Sequence, residues 1–237
     1  MAGRFAVGDV VELAGEDARK LRVVLRRASG DAVEVVDSSG RLFAGELAID
    51  GERFGARLVA QLAAPRAPTL AIALAQAIPK GAKMDLVVEK GTELGVARFV
   101  PFTSERVVGT GSRDGKVERW RRLAKSAAQQ CGRPDVPPVE RPQDFASLCA
   151  MFAGYDAALV PWEVADAVPL RERLPGLLRD ARRVIVAIGP EGGLSHREAR
   201  AAQVAGAHLI SLGSRILRTE TAGLVTCSAL LYASGDL

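Results

Sequence analysis

The chain has 237 residues, enough for one large domain or two moderate ones whose cores bury ~70–75% of the surface. Hydrophobic residues make up 48% and charged residues 25%, as in ordinary globular proteins. No apolar run reaches the ~18–20 residues of a membrane span, and no signal-peptide core follows Met1, so we expect a cytoplasmic protein. The three cysteines show no CxxC spacing and the two histidines no HExxH, so we predict no metal site.

The net charge of +4 is unevenly distributed. Residues 1–68 carry ten basic and ten acidic residues, whereas residues 113–133 carry seven basic and two acidic. Such a basic strip attracts polyanions, of which RNA is the commonest large one in the cytoplasm. A solvated helix face has the same composition, so charge alone leaves both interpretations open.

Short strands dominate residues 1–68, which we predict to form a small β-barrel. One helix is predicted at 16–26, with Leu21, Val24 and Leu25 on a single face. The proline-containing segment 63–68 is the predicted linker to a second domain at 69–237. The predicted strands of the first domain are 7–13, 32–36, 42–43 and 59–62.

Residues 69–237 alternate apolar strand-like runs with helical ones, which predicts an α/β domain with a parallel sheet covered on both faces. In such sheets ligands bind at the carboxyl ends of the strands. The predicted strands are 70–78, 98–102, 157–160, 184–188 and 208–212. Two helical stripes are predicted: Met84, Val87, Val88, Gly91 and Leu94, and Val117, Trp120, Ala124, Ala127 and Cys131.

The stretch GPEGGLS at 189–195 follows the fourth of these strands. It is neither GxGxxG nor GxxxxGK[ST], which disfavours a dinucleotide or triphosphate site. Its three glycines allow a ligand to approach the backbone closely, and Glu191 suits a ligand that is cationic or offers donors. The alternative is a plain turn with Glu191 exposed. Ser195 and Glu198 have capping-box spacing, so a helix is predicted to start at Ser195.

A second loop, LGSRILRTETA at 212–222, follows the last strand. Ile216 and Leu217 can line an apolar wall for an aromatic base while an arginine beside them meets a phosphate. The alternative places this pair in the core and the arginines on the surface. Thr219 is predicted to cap the following helix. A third stretch at 81–95 carries Lys83, Lys90 and Glu93 on an amphipathic helix. Lys90 or Glu93 could reach a site, but the pattern favours solvated helix positions.

Four motifs in this order resemble the RsmE-type ribosomal RNA uridine-N3 methyltransferases of the SPOUT superfamily: EKGTELG, QQCGRPDVPPV, GPEGGLS and LGSRILRTETA. The resemblance runs from about residue 71 to 232. A weaker similarity, KLRVVLRRASGDAVEVVD, falls where that family carries a PUA-like RNA-binding barrel. The chain departs from the family pattern at Ser126 and Gln129, where acidic residues are expected, and at Gly91, where alanine is usual.

The resemblance implies a C-terminal trefoil knot, a homodimer, and S-adenosylmethionine as the cofactor. It implies methylation of N3 of a uridine in the decoding region of 16S rRNA, in the small ribosomal subunit. The implied cofactor-binding residues are Val160, Pro161, Gly189, Glu191, Gly192, Gly193, Leu212, Gly213, Ile216, Leu217 and Thr219. The predicted RNA-binding residues are Arg22, Arg26, Lys90, Arg133, Arg215 and Arg218.

Methyl transfer from a sulfonium needs alignment of donor and acceptor more than further activation. Uridine N3 must lose a proton, and no histidine is placed to accept it. We therefore hypothesise that Arg218 stabilises the developing imidate or an adjacent phosphate, while Glu191 or Glu220 orients the base or helps to accept the proton. Three rival interpretations are a non-catalytic RNA-binding protein, a nucleotide-dependent α/β enzyme such as a dehydrogenase, and an RNA ribose 2′-O-methyltransferase.

Overall fold

The computed structural model describes residues 3–51, 53–63, 65, 68–106, 114–163 and 167–237. The chain divides into two compact units. The first comprises Met1–Arg66 together with Arg133–Asp135, and the second comprises Ala67–Gly132 and Val136–Leu237. The short 133–135 segment lies far along the chain from the rest of its unit.

The first unit is built on a four-stranded antiparallel sheet of order β1-β4-β3-β2. Its strands are β1 (Val10–Glu12), β2 (Ala32–Val36), β3 (Leu42–Asp50) and β4 (Arg53–Leu62). Alternate side chains of these strands, among them Phe43, Leu47 and Leu58, face a small core. Within the described residues β1 and β2 do not pair with each other, so closure into a barrel stays a prediction.

The prediction of a single α-helix at 16–26 is wrong for the second half of this range. Helix α1 (Gly15–Arg19) continues as a π-helical turn (Lys20–Val24), in which the Leu25 N–H donates to the Lys20 carbonyl. A π turn is wider than an α turn, so residues at 3.6-residue spacing no longer share a face. Leu21 packs against the core, but Val24 is 68% exposed and Leu25 50% exposed.

The second unit contains a seven-stranded, all-parallel sheet of order β7-β6-β5-β10-β8-β11-β9. Its strands are β5 (Ala71–Ala77), β6 (Arg98–Thr103), β7 (Gln143–Asp144), β8 (Ala157–Pro161), β9 (Val168–Pro169), β10 (Arg183–Ile188) and β11 (His208–Ser211). The five predicted strands are therefore confirmed. The two-residue edge strands β7 and β9 are too short to produce an apolar run.

Helices cover both faces of this sheet, as its buried strands require. The helices are α2 (Lys83–Leu94), α3 (Asp114–Cys131), α4 (Phe145–Met151), α5 (Leu170–Asp180), α6 (His196–Val204) and α7 (Thr219–Ser234). Leu74 and Val186 face the core shared with α2, α3, α5 and α7, while Ala73 and Ile185 face the core shared with α4 and α6. None of the helices in the described part of the chain combines the length and hydrophobicity needed to cross a bilayer.

Both helical stripes predicted from the sequence pack against the sheet, with one exception. In α3, Val117, Trp120, Ala124 and Ala127 are buried, but Cys131 at the end of the helix is exposed. The prediction that Cys131 belongs to the buried stripe is therefore wrong, because α3 ends there and the chain turns at Gly132.

Gly91 sits where helix α2 comes closest to the sheet. A Cβ at this position would lie 2.7 Å from Cε1 and 2.9 Å from Cζ of Phe99, whose side chain is fully buried. We expect Gly91→Ala to destabilise the second unit by about 1–2 kcal/mol, because overpacking outweighs the gain in helix propensity. Urea denaturation followed by tryptophan fluorescence measures this, since Trp120 and Trp162 both belong to the second unit.

Gly176 in α5 provides the matched control for this prediction. Among the described residues, no atom beyond the neighbouring residues and the backbone of its own helix lies within 4 Å of a Cβ built there, so Gly176→Ala is expected to stabilise by roughly 0.5–1 kcal/mol. A Gly91→Ala protein as stable as the Gly176→Ala protein would contradict the prediction.

Asp236 ties the end of α7 to the start of β5. Its carboxylate accepts hydrogen bonds from the backbone N–H groups of Thr69 at 2.8 Å and Leu70 at 3.0 Å, and from the Ser234 hydroxyl at 2.8 Å. Partial burial alone would raise the pKa of Asp236, but these donors outweigh it and hold the pKa below its usual value. We call this set of hydrogen bonds the Asp236 clamp. Its hydrogen bonds depend on the carboxylate of Asp236 being ionised.

Candidate active site at the carboxyl ends of the parallel strands

A cavity of about 920 Å³ opens where β10, β8 and β11 end. Two loops form most of its wall: the glycine loop, residues 189–194, and the arginine loop, residues 212–218. Strands β8, β10 and β11 are neighbours in the sheet, so the loops that follow them meet at one edge. The predicted position of the site, at the carboxyl ends of parallel strands, matches this cavity.

The glycine loop is a tight turn that requires two of its glycines. The Gly193 N–H donates to the Pro190 carbonyl at 2.8 Å, and Gly193 has a φ of +66°, which L side chains rarely adopt. At Gly189 a Cβ would lie 3.0 Å from the Leu194 nitrogen. The loop ends in the predicted capping box, in which Ser195 and Glu198 bond each other's backbone N–H at the start of α6.

Glu191 forms an ion pair inside the second unit. Its Oε1 accepts hydrogen bonds from Lys83 Nζ at 2.8 Å and from the Lys80 N–H at 3.0 Å. Burial acts to raise the pKa of Glu191, but the Lys83 ammonium and the backbone donors outweigh it and lower the pKa. The glycine-loop carboxylate is therefore already neutralised by Lys83, a partner that the sequence analysis attributed to a solvated helix face.

The ion pair with Lys83 allows a prediction about the pKa of Glu191 when Lys83 is replaced. In Lys83→Met the effect of burial remains while the largest opposing interaction is lost, so the pKa of Glu191 should rise. Carboxyl ¹³C NMR titration measures it. Lys90→Met is the matched control, because Lys90 bonds Glu89 and Glu93 and should leave Glu191 unchanged. An unaltered Glu191 titration in Lys83→Met would refute the pairing.

The arginine loop presents an exposed apolar side chain between two exposed arginines. Ile216 is 78% exposed and lines the cavity, whereas Leu217 also packs against the core, so each earlier interpretation holds for one residue of the pair. Arg215 and Arg218 are exposed, and within the described residues neither guanidinium has an ion-pair or hydrogen-bond partner. Both can therefore receive an anionic or acceptor ligand.

Thr219 does not have the capping role that the sequence predicts. Helix α7 is preceded by Arg218 at the N-cap position, without a side-chain cap, so the prediction that Thr219 is the cap is wrong. The Thr219 hydroxyl instead donates to the Gly189 carbonyl at 2.6 Å. Glu220 is only 9% exposed, and its Oε2 lies 3.9 Å from Lys83 Nζ with no hydrogen-bond partner within the described residues.

Most of the predicted cofactor-binding residues line the cavity. They are Pro161, Gly189, Glu191, Gly192, Gly193, Leu212, Gly213, Ile216, Leu217 and Thr219. Val160 does not line it, because its side chain is fully buried within β8. Glu220 is likewise absent from the lining.

The predicted RNA-binding residues are divided between the two units. Arg215 and Arg218 line the cavity, and Arg22 and Arg26 belong to the first unit. Lys90 lies on α2 and forms ion pairs with Glu89 at 2.9 Å and Glu93 at 2.8 Å. Arg133 forms an ion pair with Asp135 at 2.6 Å.

The sequence does not predict several of the residues that line the cavity. Trp162 and His196 meet edge to face, with ring centroids 5.2 Å apart. The Arg106 guanidinium donates to the Gly192 carbonyl at 2.7 Å, which joins the loop after β6 to the glycine loop. For Trp162 a signal was available, since it directly follows a buried strand. Arg106 lies in no recognisable motif.

Comparison with known proteins identifies the family. The RNA methyltransferase domain family matches residues 65–231, more than half of the chain. The chain belongs to this family. The ribosomal RNA small subunit methyltransferase E of Bacillus subtilis is 30% identical over 227 residues, covering 93% of this chain and 89% of that protein. The Synechocystis protein of the same name is 32% identical over 213 residues, covering 89% of this chain and 69% of its own length.

A solved structure in this family has the same fold. The crystal structure of a ribosomal RNA small subunit methyltransferase E from Neisseria gonorrhoeae, bound to S-adenosyl methionine, is 29% identical, with a TM-score of 0.87. The similarity covers 97% of this chain and 94% of that one. The predicted RsmE-type resemblance is thereby confirmed, and so is the α/β class with a parallel sheet.

Proposed function

We propose that this chain transfers a methyl group from S-adenosylmethionine to N3 of a uridine in the decoding region of 16S rRNA, in the cytoplasm. The observation that carries this proposal is the cavity itself. A backbone-rich glycine loop whose carboxylate is already paired shares this cavity with a loop whose two arginines have no partner among the described residues. Membership of the RNA methyltransferase family supports the reaction class.

The cavity suits this cofactor better than a nucleotide phosphate. A volume of about 920 Å³ accommodates a molecule of that size, since small-molecule sites typically enclose roughly 300–1,000 Å³. Phosphates favour open helix N-termini, but the first turn of α6 is closed by its own capping box. A dehydrogenase with a pyrophosphate at this position is therefore disfavoured.

The residues proposed to hold the cofactor are those of the two loops and of the end of β8. Bound there, S-adenosylmethionine would supply a sulfonium-activated methyl group. The chain would contribute close backbone approach at Gly189, Gly192 and Gly193, and an apolar wall at Ile216 and Leu217.

On the substrate side, Arg218 is proposed to stabilise the negative charge that develops on the uracil as N3 loses its proton. Its exposed guanidinium at the cavity, which has no partner among the described residues, supports this role. The lowered pKa of Glu191 makes it a weak proton acceptor, so its proposed role is to fix Lys83 and orient the base. Glu220 does not line the cavity, so its proposed role as proton acceptor requires one bridging water between its Oε2 and the base.

Architectural features of the family complete the proposal. We propose that the chain from β10 to α7 forms the trefoil knot and that the first unit is a PUA-like RNA-binding module, to which Arg22 and Arg26 would contribute. A homodimer is proposed through α7, where Val225 is 42% exposed and Tyr232 78% exposed. RNA contacts of Lys90 and Arg133 would have to compete with their ion pairs.

A labelling experiment tests the proposal. The protein is incubated with S-adenosylmethionine labelled in the methyl group and with small ribosomal subunits that lack the modification, or with naked 16S rRNA. Primer extension then locates the labelled methyl group. A methyl on N3 stops reverse transcriptase strongly because it blocks base pairing, whereas a ribose methyl stops it mainly when nucleotides are scarce. Calorimetric titration with the cofactor identifies a non-catalytic RNA-binding protein, which would show no heat of binding.

A further inference from the structure

A chain of two hydrogen bonds connects the end of β5, the first residue after β10 and the first residue of α7 in the second unit. Gln76 Nε2 donates to Thr219 Oγ1 at 2.8 Å, and Thr219 Oγ1 lies 2.6 Å from the Gly189 carbonyl oxygen. Because a carbonyl only accepts, the Thr219 hydroxyl must donate to Gly189. It must therefore accept from Gln76, which fixes the orientation of the Gln76 amide. We call these three residues the Gln76 relay.

The relay is buried, and a polar side chain such as that of Gln76 is unusual in a buried strand. Gln76 has no exposed surface, in a strand that is otherwise apolar (AIALAQA), and Thr219 is only 6% exposed. The Gln76 Oε1 has no hydrogen-bond partner within the described residues. Gly223 in α7 leaves room for it, because a Cβ there would lie 3.2 Å from Oε1. An apolar side chain would satisfy this position better, so folding alone does not explain the glutamine.

The relay connects the two loops of the cavity. Gly189 is the first residue of the glycine loop, and Thr219 directly follows the arginine loop. Gln76, near the end of β5, bonds Thr219 and pairs in register with Ile188, which directly precedes Gly189. Gln76 is absent from the cavity lining, so it acts on a ligand only through Thr219 and Gly189.

We propose that Gln76 is a positioning residue that fixes the glycine loop relative to the arginine loop, and so pre-forms the cavity for its ligand. The inference rests on the proposed function in one respect, the identity of that ligand as S-adenosylmethionine.

The decisive variants are Gln76→Met, which keeps the volume but lacks the donor, and Thr219→Val. Both should raise the Kd and the KM for S-adenosylmethionine by roughly tenfold, the value of one buried hydrogen bond, with a smaller change in kcat. Thr219→Ser keeps the hydroxyl and should restore binding to within about threefold of the unaltered protein.

Thr226→Val is the matched control. Thr226 is a buried threonine of the same helix whose hydroxyl donates only to its own helix, to the Ala222 carbonyl at 2.7 Å. Its replacement should lower Tm but leave Kd and KM unchanged. Amide hydrogen exchange without cofactor gives an independent measurement. Exchange should become faster at 189–194 and 212–218 in Gln76→Met, and remain unchanged there in Thr226→Val.

Two results would overturn the inference alone: ordinary cofactor binding and loop exchange in Gln76→Met, or an equal loss of binding in Thr226→Val. A different result, no cofactor binding by the unaltered protein, would overturn the proposed function and the ligand identity with it. Faster loop exchange in Gln76→Met would support the relay even then.

Discussion

Arg218→Ala is expected to lower the kcat for methyl transfer by about 100- to 1,000-fold, the usual effect of removing one charge-stabilising donor from a reacting site. Cofactor affinity should change little, because the cofactor is proposed to bind mainly through backbone groups of the loops. The fold should also survive, since the Arg218 side chain provides no cap for α7 and its backbone carbonyl still accepts from the Thr221 and Ala222 N–H groups. Single-turnover kinetics with small subunits, alongside calorimetry with the cofactor, measure the two quantities separately.

Arg215→Ala is the matched control for this prediction. Arg215 is also exposed at the cavity and free of partners within the described residues, but we assign it to phosphate contact. Its loss should weaken RNA binding and reduce the salt dependence of binding by about one phosphate contact, while kcat is largely retained. If Arg218→Ala methylates at the normal rate, the proposed role of Arg218 is wrong.

Gly189→Ala is expected to weaken cofactor binding by about 10- to 100-fold, the equivalent of the roughly 1–3 kcal/mol that overpacking costs. The new methyl group would lie 3.0 Å from the Leu194 nitrogen and 3.1 Å from Leu194 Cγ, so the turn would have to open. Titration calorimetry measures the binding, and circular dichroism verifies that the protein remains folded.

Gly192→Ala is the matched control for Gly189→Ala. It adds the same methyl group to the glycine loop without crowding the loop's own backbone. A Cβ at Gly192 would be 3.5 Å from the aliphatic Cδ of Arg106, an ordinary van der Waals contact with a flexible side chain. The loss of affinity should therefore be clearly smaller than for Gly189→Ala. Equal affinities in the two variants would show that the tight turn at Gly189 is not what shapes the cavity.

Much of this architecture could be predicted because its signals are local. Buried parallel strands read as continuous apolar runs, and the Ser195–Glu198 capping box marks the start of α6 in four residues. The cavity followed from the same pattern, since loops after neighbouring parallel strands meet at one edge of the sheet.

The errors came from interactions between residues distant in sequence. The pairing of Glu191 with Lys83 joins residues 108 positions apart, and the Thr219–Gln76 bond joins residues 143 positions apart. Lys83 and Thr219 each have a plausible local role in the sequence, but in the structure each bonds a residue far along the chain. The π turn after α1 was missed for another reason, because apolar spacing presumes an α-helical period.

The clamp at Asp236 has a consequence for biosynthesis. It joins Thr69 to a residue 167 positions later, and β5 gains its neighbour β10 only when residues 183–188 have been translated. The nascent chain therefore carries an apolar strand with an unpaired edge through most of the synthesis of the second unit, a state that favours aggregation. Chaperone dependence during translation should accordingly be a property of the second unit, while the first can fold as its own strands emerge.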